Sequence, residues 1–251
     1  MSEVYKAPEA QLHDDTKPGE YGSIESALAG TYQFSPIEII KEAWEKINGF
    51  KLVYWLAIIV YMLVAVGIAL ISGLVFPEVD PQNPGALGPL VGALASQLLS
   101  MIVTLPLFAG LFMMTLKRSV GAQVQFGELF KHFDKALPLL FTSILMYIFI
   151  IIGFILLVLP GIYLMVAFSL ALPLVVEKGM SPMEALSTSR KAITHRWFSF
   201  LVFLLLSFFV ALAGSLVFVI GLIWALPVAG LAYGIVYRNV MGVETSTLSD
   251  S

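Results

Sequence analysis

Four long stretches without a charged residue constrain what this chain can fold into. They run from Leu52 to Phe76 (25 residues), Ala86 to Leu116 (31), Ala136 to Val176 (41) and Trp197 to Tyr237 (41). A transmembrane helix rises about 1.5 Å per residue and needs roughly 20 residues to cross the hydrocarbon core of a bilayer. The first two stretches therefore predict one span each, and the two longer stretches predict two spans each.

Composition supports this interpretation, because 59% of the residues are hydrophobic and only 12% are charged, against about 25% charged residues in soluble domains. We expect an all-α polytopic membrane protein whose six transmembrane helices form three hairpins. The first 34 residues have no continuous apolar core, so a cleavable signal peptide is not expected. The absence of cysteine excludes disulfides, thiol nucleophiles and cysteine-ligated metals.

The basic residues predict the orientation. When the breaks between the apolar stretches are taken as turns, all 14 Lys and Arg residues fall on one side, which the positive-inside rule assigns to the cytoplasm. The opposite loop, which begins at Pro77, carries Glu78 and Asp80. A single crossing from Ala136 to Val176 would place four basic residues outside, so two crossings are favoured there. Both termini are then cytoplasmic.

The turns inside the two longer stretches are marked by proline and glycine. Pro160 and Gly161 predict the first turn, because proline interrupts a helix and glycine accepts positive φ. Gly214 and Gly221 bracket the second turn. The return segment from Ile162 to Val176 would cover only about 22 Å as a helix. It either crosses a thinned bilayer, which we favour, or forms a re-entrant hairpin packed against protein.

A helix-start signal precedes the first span in "FSPIEIIKEAWEKINGFK", which begins at Phe34. Ser35 can cap the helix, Pro36 suits its first position, and Glu38 can reach back to the cap. Apolar residues then recur at helical spacing, which predicts an amphipathic helix at the membrane interface. The residues of this face are Ile37, Ile40, Trp44 and Ile47.

The same signal recurs before the last apolar stretch, as Ser181, Pro182 and Glu184, followed by Met183, Leu186, Ile193 and Trp197. A looser version places Phe126, Leu129, Phe130 and Phe133 before the third stretch. Each of Pro106, Pro173 and Pro227 follows a leucine in a return helix that it should bend. We therefore predict three internal repeats, residues 35–118, 125–178 and 181–238, each with a cytoplasmic amphipathic helix and a hairpin. We expect residues 1–34 to form a disordered cytoplasmic tail and residues 239–251 a short cytoplasmic tail.

Small residues recur every four positions in the second span, at Gly88, Gly92, Ser96 and Ser100. Such a stripe lets another helix approach closely. Packing within the chain and homo-oligomerisation are both compatible with it, and the first is favoured.

No Asp, Glu, Lys, Arg or His lies inside a predicted span, whereas ion-coupled transporters and proton pumps usually hold such groups at bilayer depth. The sequence also lacks HExxH, a phosphate-binding loop and GxSxG. We therefore expect no catalytic residue, cofactor or metal site. His132 beside Asp134 is the weaker enzymatic alternative. The basic residues Arg190, Lys191 and Arg196 are candidates for contact with anionic lipid.

Pro160–Gly161, Glu177, the "SPMEAL" helix start and Ser189 before a basic segment carry a family resemblance, as does "LKRSVGAQVQFGELFKHF" from Leu116. The chain resembles poorly characterised bacterial inner-membrane proteins, which include the YciC family and the membrane domain attached to some glycerophosphodiester phosphodiesterases. The resemblance implies a multi-span protein of the bacterial inner membrane without an assigned reaction.

These features favour a non-catalytic membrane-organising or accessory module that contacts lipid or another membrane protein. A transporter or flippase for an apolar or lipidic substrate is the first alternative, and a lipid-modifying enzyme at the cytoplasmic face is the second. The expected partners are membrane lipids and either another membrane protein or a second copy of the chain, with no nucleic acid.

Overall fold

The computed structural model describes residues 21–76, 87–216 and 221–249, and within these ranges it contains helices but no strand. Two short 3-10 segments, Phe126–Phe130 and Phe133–Lys135, precede the fifth helix. The acidic loop with Glu78 and Asp80 lies outside the described residues. The α-helices are α1 (Ile24–Ala29), α2 (Pro36–Lys46), α3 (Lys51–Val75), α4 (Leu87–Ser119), α5 (Ala136–Leu156), α6 (Val158–Ala167), α7 (Ala171–Glu177), α8 (Pro182–Thr194), α9 (Trp197–Leu216), α10 (Leu222–Met241) and α11 (Thr245–Ser249).

The all-α prediction is confirmed for this part of the chain, and five of its helical segments are long and apolar enough to cross a membrane. The sixth predicted span corresponds to α10, which has 20 residues but is not among those five. Its last turn carries Arg238 and Asn239, which lower its apolar character. The five segments are Lys51–Val75, Leu87–Ser119, Phe126–Leu156, Val158–Glu177 and Trp197–Leu216.

The turn between α5 and α6 lies at Leu157, three residues before the predicted position. Leu157 has extended backbone angles and caps α6, so Pro160 falls in the first turn of that helix, where its missing N–H costs no hydrogen bond. Gly161 is not among the glycines with positive φ. Its role is close packing, because a Cβ there would overlap the ring of Phe154. The turn between α9 and α10 includes residues 217–220, which lie outside the described residues.

Prolines leave two backbone carbonyls without the N–H donor that a helix would supply. Side chains of neighbouring helices donate hydrogen bonds to these carbonyls instead. Pro227 cannot donate to the Ile223 carbonyl, which instead accepts a hydrogen bond from the indole N–H of Trp55 in α3, at 3.0 Å. Pro173 likewise frees the Ser169 carbonyl, which accepts from the hydroxyl of Tyr233 in α10. The return segment of the second hairpin is therefore broken between α6 and α7.

Ser189 of α8 bridges this break. Its hydroxyl donates to the Ala167 carbonyl at 2.7 Å and accepts from the Leu170 N–H at 3.2 Å. Both backbone groups lie where the helix is interrupted. The contacts with Ser189 therefore avoid the free-energy cost of burying an unpaired carbonyl or N–H.

Burial is concentrated at the end of the bundle where Lys117 and Arg238 lie, which we call the basic end. The halves of α4 and α10 towards this end are almost continuously buried, whereas the other half of α4 and most of α3 expose large apolar side chains. Gly234 of α10 permits the central contact, because a Cβ there would lie 2.8 Å from the Thr115 carbonyl group in α4.

Residues 21–34, which we expected in a disordered tail, pack onto the bundle instead. Ala27 of α1 is fully buried, and the Tyr32 hydroxyl donates to the Ala192 carbonyl of α8 at 3.0 Å. Burial raises the pKa of Tyr32 to about 12 despite the nearby Arg196, so the phenol keeps the proton it donates. Residues 1–20 lie outside the described residues.

The packing of α10 on α4 gives a first prediction. Gly234→Ala should destabilise the protein by about 1–3 kcal/mol, because the added methyl group meets the α4 backbone, which cannot move aside like a flexible side chain. Thermal unfolding in detergent would measure this loss. Gly67→Ala is the control, since a Cβ at Gly67 has no neighbour within 4 Å; equal stability of the two variants would contradict the packing argument.

Candidate membrane-contact site

Part of the apolar face of α2 packs against the protein, and the rest of this face is exposed. Ile39, Ala43 and the following Ile47 are buried against the bundle. Ile37 and Trp44 remain 70% and 54% exposed, although they lie on the same apolar half of the helix. An exposed apolar stripe therefore runs along α2 beside its packed face, with the half-buried Ile40 between the two.

Charged residues hold the other side of α2 in place. Glu42 forms a two-point contact with the guanidinium of Arg238 in α10, at 2.9 and 3.0 Å. Lys46 pairs with Glu42 at 2.8 Å and donates to the Ser119 carbonyl at the end of α4, at 2.9 Å. Because Arg238 is almost fully buried, this clamp fixes the rotation of α2 and hence the direction of its exposed stripe.

The end of α2 is held by a second arginine. The Arg118 side chain donates to the carbonyl of Lys46 at 2.9 Å and also to that of Asn48. These carbonyls lie at the C-terminus of the helix, where a cation is favoured by the helix dipole. Arg118 and Arg238 thus reach α2 from α4 and α10 respectively.

The pairing also affects the protonation of Glu42. Burial raises the pKa of its carboxyl, but hydrogen bonds and charges from Lys46 and Arg238 lower it by more, so the net effect is a pKa below the ordinary value of 4.5. The carboxylate that completes the clamp is therefore ionised at neutral pH.

The predicted helix starts differ in detail. Ser35 makes no side-chain cap at α2, whereas Ser181 and Glu184 form the reciprocal contact that caps α8. The apolar face of α8 is covered, since Leu186 and Ile193 are buried and Trp197 is half-buried. Met183 alone of the four predicted residues of this face is exposed.

The third predicted interfacial segment forms 3-10 turns instead of an amphipathic α-helix. Leu129 is fully buried and its backbone packs directly on Gly110 of α4. Phe126, Phe130 and Phe133 remain substantially exposed. This geometry follows from the neighbouring Glu128, which turns inward to pair with the buried Lys117 at 3.2 Å.

The three candidate lipid-binding basic residues point to different surroundings. Arg190 lines a largely apolar cavity beside α5 and α6. Arg196 lies over the ring of Tyr32, 5.8 Å from its centroid. Lys191 is exposed. The structure thus does not bring these residues together into one cationic site.

The small-residue stripe of α4 packs partly within the chain. A Cβ at Gly92 would lie 3.2 Å from the Cβ of Phe76, at the end of α3. Ser96 and Ser100 are half-buried. Gly88 is exposed, and a Cβ added there would have no neighbour within 4 Å.

The structure does not pair His132 with Asp134, as the enzymatic alternative would require. Asp134 is exposed, and the buried Nε2 of His132 makes no hydrogen bond within the described residues. His132 lines a polar cavity of about 180 Å³ together with Lys117, Glu128, Lys135 and Glu177. No group of three potential metal-binding side chains occurs in residues 21–76, 87–216 and 221–249.

The buried ion pairs were not predicted from the sequence. Lys117 and Arg238 were expected on the basic side of the membrane, whereas the structure buries both. One signal was present: each lies 11 positions after a Leu-Pro proline, Pro106 or Pro227.

Glu177 closes a third buried contact. It accepts a hydrogen bond from the Tyr237 hydroxyl at 2.9 Å and pairs with Lys178 at 3.2 Å. Its other oxygen accepts from the backbone N–H of Glu244. The C-terminal segment is therefore tied to the end of α7.

No family model, curated protein or solved structure matches the chain. The resemblance to the YciC group therefore stays a prediction from the residues that carry it.

Loss of the clamp should destabilise the protein. Arg238→Ala removes the buried partner of Glu42 and leaves its carboxylate paired with Lys46 alone. We expect a loss of about 2 kcal/mol, within the range for a hydrogen bond to a charged group. Thermal unfolding in detergent would test this. Lys191→Ala removes an exposed cation with no contact to the clamp and should change stability little; a similar loss in both variants would refute the assignment.

The lowered pKa of Glu42 predicts a pH dependence. The pair contributes its full stability above about pH 4.5, the unfolded value, and loses it as the pH falls through the lower folded pKa. The difference in melting temperature between wild type and Glu42→Gln should therefore shrink as the pH is lowered from about 6 to about 3. A constant difference across this range would show that the ionised carboxylate is not what stabilises the clamp.

Proposed function

We propose that this protein is a non-catalytic integral membrane protein that organises lipid or supports another membrane protein. The observation that carries this proposal is the exposed apolar stripe of α2, held outward by buried charges. A stripe that contains Ile37 and Trp44 would be costly in water, but it is suited to the boundary between head groups and acyl chains.

The rigidity of α2 supports a structural role for the stripe. Arg238 and Arg118 both hold the helix to the bundle, and neither contacts the exposed stripe. Because α3 begins at Lys51, five residues after α2 ends, the stripe lies close to where the first span would enter the membrane. Contact with one leaflet would then displace head groups at a fixed position.

The proposed topology has six crossings arranged as three hairpins in the bacterial inner membrane, with both termini cytoplasmic. In this arrangement α10 is the sixth crossing and its Arg238 lies at the cytoplasmic boundary. The repeat units are residues 35–118, 125–178 and 181–238. The positive-inside distribution of basic residues and the clustering of buried cations at one end of the bundle support it.

The paired carboxylates of the basic end support a non-catalytic role. Glu42, Glu128 and Glu177 each already bind cations or hydroxyl groups of the same chain. Such saturated pairs stabilise a packing arrangement, whereas catalysis needs groups free to exchange a proton with substrate.

Movement of a lipidic substrate is the second candidate function, and two apolar cavities favour it. One of about 350 Å³ lies against α8, and another of about 290 Å³ lies against α4 and α10. Phe168, at the break between α6 and α7, borders both. A change in its side chain would alter the wall they share.

Reconstitution into vesicles tests the leading proposal. Wild-type protein should change vesicle shape or the order of lipid head groups, and Trp44→Glu should abolish the change because it places a charge in the stripe. Cryo-electron microscopy of the vesicles and an interfacial fluorescent probe would measure these effects. Lys41→Gln is the matched control, since it alters net charge equally on the exposed polar face of the same helix.

Unchanged vesicles, together with no protein partner that co-purifies through the stripe, would overturn the proposal. Accelerated transfer of a fluorescent phospholipid between leaflets, insensitive to Trp44→Glu, would favour the second candidate instead.

A further inference from the structure

The apolar cavity that Arg190 lines is a groove between α5, α6 and α8. Its volume is about 350 Å³, within the range of small-molecule sites. Phe149, Leu164, Phe168, Met183 and Leu186 supply apolar walls. The groove is thus shaped for a hydrocarbon segment.

The apolar groove opens beside side chains that already face outward. Ile148 and Ile152 of α5 flank Phe149 and are both exposed. Met183 stands exposed at the N-terminal end of α8. Exposed apolar side chains therefore lie next to the groove-lining residue Phe149, which suits contact with an acyl chain.

One cation stands at the groove. Arg190 lies one helical turn after Leu186 and is exposed, and within the described residues its guanidinium makes no hydrogen bond or ion pair. The basic residues Lys117 and Arg238 differ in this respect, since each is paired with a carboxylate. Arg190 therefore retains its full capacity to bind an anion.

Among the residues that the structure describes, no carboxylate lines the groove to compete for this arginine. Glu184, the acidic residue of α8, is turned to the helix start and contacts Ser181. The polar groups at the groove are Ser187 and Arg190, a hydroxyl and a fork of N–H donors that suit the oxygens of a phosphate group.

We infer that this groove binds one anionic phospholipid, with an acyl chain between α5, α6 and α8 and its phosphate on Arg190. The inference rests on the proposed function and specifies where lipid is held. A lipid is the occupant that satisfies both halves of the site, because a free phosphate would leave the apolar walls exposed and a neutral hydrocarbon would leave Arg190 unpaired.

Native mass spectrometry of the detergent-solubilised full chain tests the site, with phosphatidylglycerol, phosphatidylcholine and inorganic phosphate as probes. Wild-type protein should retain phosphatidylglycerol, and Arg190→Gln should weaken its binding by roughly tenfold or more, the effect of losing a charged hydrogen bond. Arg190→Lys should restore part of it. Lys191→Gln is the matched control, because it removes the neighbouring exposed charge and should leave binding unchanged.

A second variant tests the apolar half. Ser187→Leu adds a branched side chain at the groove wall, so it should reduce retention of the lipid while thermal unfolding stays near the wild-type temperature. Binding unaffected by both Ser187→Leu and Arg190→Gln would overturn the assignment.

Three further outcomes would also overturn it: an equal loss in Lys191→Gln, equal affinity for phosphatidylcholine, or displacement of the lipid by millimolar phosphate. These failures are distinguishable from failure of the proposed function. If Trp44→Glu still abolishes the vesicle effect while Arg190→Gln leaves phosphatidylglycerol binding intact, lipid contact at α2 stands and the groove does not hold lipid.

Discussion

The pairing of buried charges at the basic end is the constraint on which the rest of the structure depends. Lys117 and Arg238 are withdrawn from solvent near the ends of α4 and α10, and an unpaired charge in such a place costs several kcal/mol. Each needs a carboxylate from elsewhere in the chain. Glu128 and Glu42 supply these, so the segments that carry them must dock on the bundle. These segments thereby pack one side against the core while the apolar side chains of their other side stay exposed.

This constraint explains how two similar helix starts acquire different surroundings. Periodicity predicts which residues of α2 and α8 share a face, but it does not say what covers that face. In α8 the face is covered by the second hairpin, with Leu186 buried. In α2 the contact between Glu42 and Arg238 fixes the rotation, so that Ile39 is buried and Trp44 is left exposed. Only the second arrangement offers a sizeable apolar stripe to a membrane.

The helical class, the long spans and the starts of α2 and α8 could be predicted. They follow from the length and spacing of apolar residues and from the serine and proline at each helix start. The burial of Arg238 could not, since a basic residue after a span looks the same whether it faces head groups or a distant carboxylate. The turn was predicted at Pro160, three residues after its actual position at Leu157. The sequence does not distinguish the two positions, because proline is tolerated in the first turn of a helix as well as before it. Residues 21–34 dock through contacts such as the hydrogen bond from the Tyr32 hydroxyl to the Ala192 carbonyl, which lies 160 residues away in the sequence. Local sequence patterns do not predict a contact between such distant residues.

Packing within the chain is distributed unevenly along the bundle. Towards the basic end, α4 and α10 have protein on nearly every side. Towards the other end, α3 and the first half of α4 are covered by little protein, with Leu63, Leu74 and Leu87 largely exposed. Under the proposed membrane location, acyl chains would cover these exposed side chains. The hydroxyl of Ser189 holds α8 against the break between α6 and α7. A lipid bound in the groove by Arg190 would contact α8 and also α5 and α6. It would therefore add packing contacts beyond those that the protein makes at the basic end.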